Sequence, residues 1–294
     1  MTPLSILLVL VSAIIHSSWN FFTKRGNWPP EFFFWVFLWG VLLYLPFFIG
    51  FGAFPSFILQ LPSKLWWIVI LSSCFETIYF NCLIEAYRSG DLSLVYPISR
   101  SALIFTQIWA VSFIGEVLSK EGVMGIGLIM IGLFTISLKD FGLQSIISKS
   151  NRFISRPTIL ALGAAIASSI YSVVDKVGVQ NLHPFYYIWL INLWMAIFMG
   201  LYLSPKGGVS FVKVWRESKK EILIIAILQN VAYLLVPMAM QMSKVSYVVA
   251  FRQVGALFGA GMGIFFLKES YWKTRLSGAL ILTLGLILIG LAKQ

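Results

Sequence analysis

Charge is scarce in this chain. Only 11% of its 294 residues are Asp, Glu, Lys or Arg, whereas soluble domains carry about 25%. So few charges cannot clothe a water-facing surface, which argues against a soluble enzyme. Cysteine is nearly absent. Cys74 and Cys82 both fall inside one apolar segment, and they read as small buried hydrophobes, with no disulfide or metal pattern. Catalytic signatures are missing as well: the chain has no Walker-type phosphate loop, no HExxH, no GxSxG and no paired-cysteine motif. Without a phosphate loop, energy must come from a gradient, from exchange, or from the substrate's own gradient. No cofactor or metal is implied.

What fills the chain is apolar. Hydrophobic residues make up 59%, and the mean hydropathy is +0.88. The net charge of +11 would point to nucleic acid in a soluble protein. Here Lys and Arg sit mainly between apolar runs, so lipid headgroups and membrane topology account for them, and no nucleic-acid partner is expected. The first run starts at Pro3 without a basic leader, which reads as a retained helix rather than a cleaved signal.

About 20 apolar residues span a bilayer. That ruler predicts helices near residues 3–23, 32–53, 65–87, 92–115, 121–138, 157–176, 184–204, 221–241, 245–267 and 273–292. Turn-like clusters separate them, among them Gly26–Pro30, Arg88–Asp91 and Ser204–Gly208. The one long polar connection in mid-chain, Lys139–Arg156, divides five helices from five.

The halves are alike. At an offset of 153, Ser93 meets Ser246, Phe105 meets Phe258, Glu116 meets Glu269, Lys120 meets Lys273, Gly125 meets Gly278 and Gly132 meets Gly285. At an offset of 152, Ser17 meets Ser169, Trp19 meets Tyr171, Lys24 meets Lys176 and Gly26 meets Gly178. One inserted residue reconciles the two. An odd number of helices per repeat makes the second copy enter the membrane from the other side, the plan of many secondary transporters, which hold substrate at the repeat interface. The expected fold is all-α and integral to the membrane, ten transmembrane helices as two inverted five-helix repeats. The expected units are 1–140 and 157–294, joined by a loop at 141–156.

His16–Asn20 followed by Lys24, Tyr96-Pro97-Ile-Ser-Arg100, Arg252-Gln-Val-Gly255-Ala-Leu-Phe-Gly259 and Leu267-Lys-Glu269 stand in order along the chain. In these pieces it resembles the drug/metabolite transporter superfamily, in its EamA-type branch. The glutamate closing the fourth helix of each repeat, followed by a Gly-containing fifth helix, carries most of the likeness. The resemblance implies ten helices, no nucleotide hydrolysis and transport of small metabolites, in a cell membrane.

Polar residues inside the apolar runs are the candidate site. Arg100 and Arg252 lie in matching helices, one register apart. A charged side chain at bilayer depth costs roughly 2.5–3.5 kcal/mol even on lenient scales, so each reads as facing a polar cavity. A guanidinium fork suits carboxylate or phosphate; a structural pair with Glu76 or with helix carbonyls is the alternative. Ser12, His16, Asn20 and Lys24 recur every four residues on one helical face that should look into the bundle. Trp19, Tyr79, Tyr96 and Tyr171 are candidate substrate-contacting aromatics. Glu76, mid-helix, reads either as an ion-pair partner of Arg100 or as a proton-coupling site. Glu85, Asp175, Lys24 and Lys176 sit nearer helix ends, where an interfacial position suffices. The function expected is a secondary transporter or exporter of a small amino-acid-like or organic-anion metabolite, working by alternating access among membrane lipids. The other reading is a non-transporting membrane module that binds a lipid phosphate or a protein partner.

Fifteen Lys and Arg fall on one side of the predicted membrane and five on the other; the remaining two are Arg100 and Arg252. The positive-inside rule then places both termini outside the cell, whereas the family resemblance implies cytoplasmic termini. Alkaline phosphatase fused to the C-terminus will be active if charge governs orientation, and inactive if the family pattern holds.

Overall fold

The computed structural model describes residues 1–26, 28–50, 60–90, 92–138, 155–206, 210–258 and 272–293; within these, the side chains of 19–26, 50, 92–94, 97, 206 and 272 are not described. Among the described residues, ten transmembrane helices follow one another. They are α1 (Pro3–Gly26), α2 (Pro30–Gly50), α3 (Ser63–Ser89), α4 (Leu92–Arg100 continued by Ala102–Trp109), α5 (Lys120–Ile136), α6 (Arg156–Asn181), α7 (Pro184–Leu203), α8 (Phe211–Met242), α9 (Val245–Phe251, then a turn and further helix to 258) and α10 (Trp272–Leu291). No strand occurs among the described residues. Proline opens α1, α2 and α7 and stands second in α6, where its missing N–H would have had no intrahelical partner.

Two expectations shift in detail. Helix α8 starts at Phe211, earlier than its apolar run, because a basic turn precedes a break at Ser218 (φ −130°, ψ 26°). The charged stretch Lys213–Lys220 is thus helical without lying in the apolar span. Helix α4 is interrupted: the Ser101 amide donates to the carbonyl of Ile98 at 3.1 Å, and the helix resumes at Ala102.

Pairing between helices shows the inverted repeat directly. Helix α1 packs on α8 and α3 packs on α6, while α2 meets α7 and α5 meets α10. Exchanging the two halves interconverts the first two pairs and maps each of the last two onto itself, as a two-fold axis in the membrane plane requires. The N-terminal ammonium donates to the Ala292 carbonyl at 3.4 Å, so both termini share one face, here the terminal face. Helix α6 starts from the other face, where Arg156 meets Glu85 at the end of α3. Most of the Lys and Arg flank helix ends there, and we refer to it as the basic face.

The α5–α10 seam explains the repeated glycines. A Cβ on Gly125 would sit 2.8 Å from the Gly285 carbonyl oxygen, and one on Gly285 2.7 Å from that of Gly125. Gly132 and Gly278 face each other in the same way, at 2.8 and 2.7 Å. Lipid gives no hydrophobic drive for helix pairing, so small residues that allow backbone contact supply it. Bulky side chains point outward instead, as Phe113 (76% exposed) and Leu291 (71%) do.

Gly132→Leu should lower the unfolding free energy in detergent by about 1–3 kcal/mol, the usual cost of overpacking, read as a fall in midpoint temperature. Gly127→Leu, on an exposed face with nothing within 4 Å of its added Cβ, should leave that midpoint unchanged.

Candidate functional site

Both repeats break their helix at an arginine. In α4 the α-helical pattern lapses at Ser101, next to Arg100. In α9 it lapses at Arg252 and Gln253, where the amides of Gln253, Gly255 and Ala256 donate three residues back, at 2.9–3.1 Å. Such tightened turns free carbonyls and re-aim side chains in mid-helix, and discontinuous helices are where transporters place their binding sites.

Arg252 reaches a cavity of about 10 Å³, the room of roughly one water. Glu76 from α3, Tyr171 and Asp175 from α6, and Tyr233 and Pro237 from α8 share it, with Ile188, Ile191 and Met240 as an apolar wall. Pro237 lacks an amide proton, so the Tyr233 carbonyl loses its helical donor beside this space. Glu76 is 1% exposed, and its Oε1 has no hydrogen-bond partner. The Tyr233 hydroxyl, Asp175 and Arg252 are its polar neighbours. Asp175 is held from two sides: the Ser72 hydroxyl donates to its Oδ1, and the Tyr187 hydroxyl donates to the same oxygen at 2.8 Å. No ion pair within 4.0 Å joins these carboxylates to either arginine among the described residues.

Arg100 stands apart from this cavity. Its guanidinium lies over the Tyr96 ring at 4.9 Å, and its Nη1 donates to the Gln253 Oε1 at 3.5 Å. Arg100 and Gln253 are equivalent positions of the two repeats, so their contact lies on the pseudo-two-fold axis. His16 lies within electrostatic reach of both Arg252 and Arg100. The Tyr79 and Tyr171 rings meet edge to face at 5.7 Å. Among the sequence candidates, Glu76, Tyr171 and Arg252 therefore share one cavity, with Tyr79 against Tyr171, while Arg100 and Tyr96 form a neighbouring pair linked to it through Gln253. The side chains of Trp19 and Asn20 lie outside the described residues.

Three expectations are corrected by position. The ion-pair partner foreseen for Glu76 was Arg100, yet the arginine beside it is Arg252. Asp175 was placed at an interface and instead lines the cavity, because α6 extends five residues beyond its predicted end, to Asn181. Sequence spacing reads a polar stripe of Ser168, Ser172 and Lys176 on this helix; that Tyr171 and Asp175 share adjoining positions of the same face is the signal it passed over. Lys176 does not reach out to the membrane surface. It is 7% exposed, and its Nζ donates to the last carbonyls of α8, those of Met240 and, at 2.9 Å, Ser243.

Lys176 is one half of a clamp on the terminal face. Glu116 is the other. Gly115, in the left-handed region at φ 74°, closes the π-helical last turn of α4 and turns the chain so that Glu116 caps α9. The amides of Val245 and Ser246 donate to its two carboxylate oxygens at 2.7 and 3.2 Å. A cation on a helix C-terminus and an anion on the next N-terminus complement both dipoles and satisfy backbone groups that hydrocarbon could not. Tyr247 adds a third tie, accepting from the Ser119 amide at 2.9 Å. Of the equivalents, the Lys24 side chain and Glu269 lie outside what is described. A separate open crevice of about 440 Å³ on the basic face holds Asn81, Cys82 and the Arg156–Glu85 pair (3.0 Å); that pair is largely exposed, and such pairs contribute about 0–1 kcal/mol.

The model of the EamA-like transporter family matches this chain twice, at residues 3–138 and 156–291. The chain belongs to that family. Its members are membrane transporters of small molecules, and this chain is a multi-pass membrane protein. A solved protein crystal structure is similar in fold, with a TM-score of 0.74 at 12% identity, over 98% of this chain and 96% of its own. No curated protein matches the sequence.

Lys176→Met should leave two α8 carbonyls without their donor and lower the unfolding free energy by about 1–3 kcal/mol, measured as thermal stability in detergent. Glu116→Gln should lose less, because an amide oxygen still accepts from Val245.

Proposed function

We propose that this EamA-like protein is a secondary transporter of a small organic anion or amino-acid-like metabolite, working by alternating access in a cell membrane, with residues 1–140 and 157–294 as the moving repeats. The observation that carries this reading is the placement of Arg252. It leaves a broken helix at the repeat interface and enters a cavity shared by helices of both halves. A guanidinium there is preorganised for a carboxylate or phosphate, and among the described residues no carboxylate lies within 4.0 Å of it. Arg100, with Tyr96, supplies a second cation one step along the axis, and His16 lies between the two in electrostatic terms. Tyr79, Tyr171 and Tyr233 give flat apolar surface with hydroxyl tips, suited to the body of a small organic acid. By sequence spacing Trp19 and Asn20 fall on the helical face of His16, and they are proposed as substrate contacts with it. Energy comes from an ion or solute gradient, and the protein catalyses no covalent change.

The clamp on the terminal face closes one end of this path. The proposed cycle opens it while the basic face closes, which exposes Arg252 to each side in turn.

The purified protein in liposomes, screened against phenylacetate, other small carboxylates, amino acids, phosphate and phosphonates, should take up at least one of them down an imposed gradient. No uptake and no binding by a folded sample would sink the proposal; a tightly held anionic lipid in native mass spectra would then favour a lipid-phosphate module. Arg252→Lys keeps the charge and loses the fork, so affinity for the transported anion should fall by about 1–3 kcal/mol, the scale of a charge-assisted hydrogen bond. Arg252→Ala should fall at least as far, with the thermal midpoint little changed.

A further inference from the structure

We propose that Glu76 and Asp175 form a proton-binding carboxylate pair whose proton count follows the occupancy of Arg252, so that one proton moves with each monovalent anion. The inference rests on the anion site proposed above and extends it to the coupling ion.

The cavity brings together two carboxyl groups and one guanidinium. Glu76 is buried with Oε1 turned to no partner, while Asp175 is fixed by the Ser72 and Tyr187 hydroxyls. The groups facing the pair come from every helix packed around it. Tyr79 is on α3 itself, Tyr171 on α6, Tyr187 on α7 and Tyr233 on α8, with Arg252 after the α9 break. Arg100 acts on Tyr79 from α4, and His16 faces both arginines from α1. Arg252 is the cation that acts on both carboxyls.

Charge balance sets the proton number. In a closed site of low dielectric, net charge is costly, and two carboxylates close together do not both ionise. With the anion absent, Arg252 balances one carboxylate and the other carries a proton. The pair then titrates as a unit rather than as two independent acids. When an anion takes the guanidinium, the remaining carboxylate loses its counter-charge and accepts a second proton. Anion and proton enter together, the site stays neutral, and both leave when it opens to the other side. Carriage of a monovalent anion is electroneutral. The pair, drawn from both repeats, has no second copy across the pseudo-two-fold axis, because Gln229 stands where Glu76 would have its equivalent. Proton binding is therefore confined to a single side of the pseudo-two-fold axis.

Infrared difference spectroscopy on the full chain in nanodiscs tests this without any ligand. The ligand-free protein at neutral pH should show the C=O stretch of a protonated carboxyl, lost or shifted in Glu76→Gln and in Asp175→Asn. Absence of that stretch in the unaltered protein, or its persistence unchanged in both variants, overturns the proposal. Phenylacetate is the probe for linkage. Its binding should draw a proton from unbuffered solution, and its affinity should fall about tenfold per pH unit as pH rises, the slope of one linked proton. The double variant Glu76→Gln, Asp175→Asn should flatten that slope, because no carboxyl is then left to take the linked proton; an unchanged slope in it overturns the coupling. Phenylacetate binding with no pH dependence also overturns the coupling. If phenylacetate and the rest of the panel fail to bind, the anion reading falls, and the carboxyl stretch still decides whether the pair holds a proton.

Discussion

Hydrocarbon offers no hydrogen-bond partner, so every polar group at membrane depth must find one inside the protein. The positions of the few charges here follow from that constraint. Lys176 and Glu116 are buried, and both end on backbone: one on the closing carbonyls of α8, the other on the opening amides of α9. The turn between those helices would otherwise expose unpaired groups to a nearly dry interior. Asn192 and Asn230 solve the same problem deeper in the bundle, where the Asn192 amide donates to the Asn230 oxygen at 2.8 Å. Several buried side-chain atoms lack a partner, Glu31 Oε2 and Gln229 Oε1 among them, but of these residues Glu76 is the one that lines the cavity beside Arg252. Its unpartnered oxygen points into the cavity, which marks that place as one kept for something other than stability.

Symmetry of fold and asymmetry of chemistry coexist. The helix pairings survive exchange of the two halves, and so do the seam glycines and the helix breaks at Arg100 and Arg252. The charges do not. Gln229 stands opposite Glu76, Gln253 opposite Arg100 and Ser99 opposite Arg252. The backbone thus provides two related half-sites, while the side chains differentiate them into one cavity with carboxyls and one pair with Tyr96. The proposed alternating access would draw on the first property, and the proposed selectivity for an anion on the second.

Much of the fold was legible because membranes impose a length and a period. Apolar runs gave the ten crossings, and Gly125, Gly132, Gly278 and Gly285 announced a repeated seam before any contact was visible. The site was legible in part. Arg252, Glu76 and Tyr171 stood out as polar groups in apolar company. Asp175 did not, since the five further residues of α6 decide whether a carboxylate lies at the headgroups or inside the bundle. Its own stripe, Ser168 to Asp175, held the answer. The partner of Glu76 was misassigned because sequence spacing says which face a residue occupies, not which of two arginines that face meets. Lys176 was read as reaching for water because a long aliphatic stem permits it; the α8 carbonyls that capture it come from a helix more than sixty positions away.

At the α5–α10 seam, Gly125 meets Gly285 while Gly132 meets Gly278. Each contact joins non-equivalent members of the two halves, and the two contacts are copies of one another. That reciprocity is the signature of an isologous interface, in which a surface patch is complementary to itself. A free-standing five-helix chain with these glycines would carry a ready-made homodimer surface, and two such chains would associate antiparallel, one inserted from each side of the bilayer. Joining them in one polypeptide turns a concentration-dependent encounter into a permanent one. It also lifts the requirement that both partners be identical, which is the condition for a carboxylate at 76 to have a neutral glutamine at 229 as its counterpart.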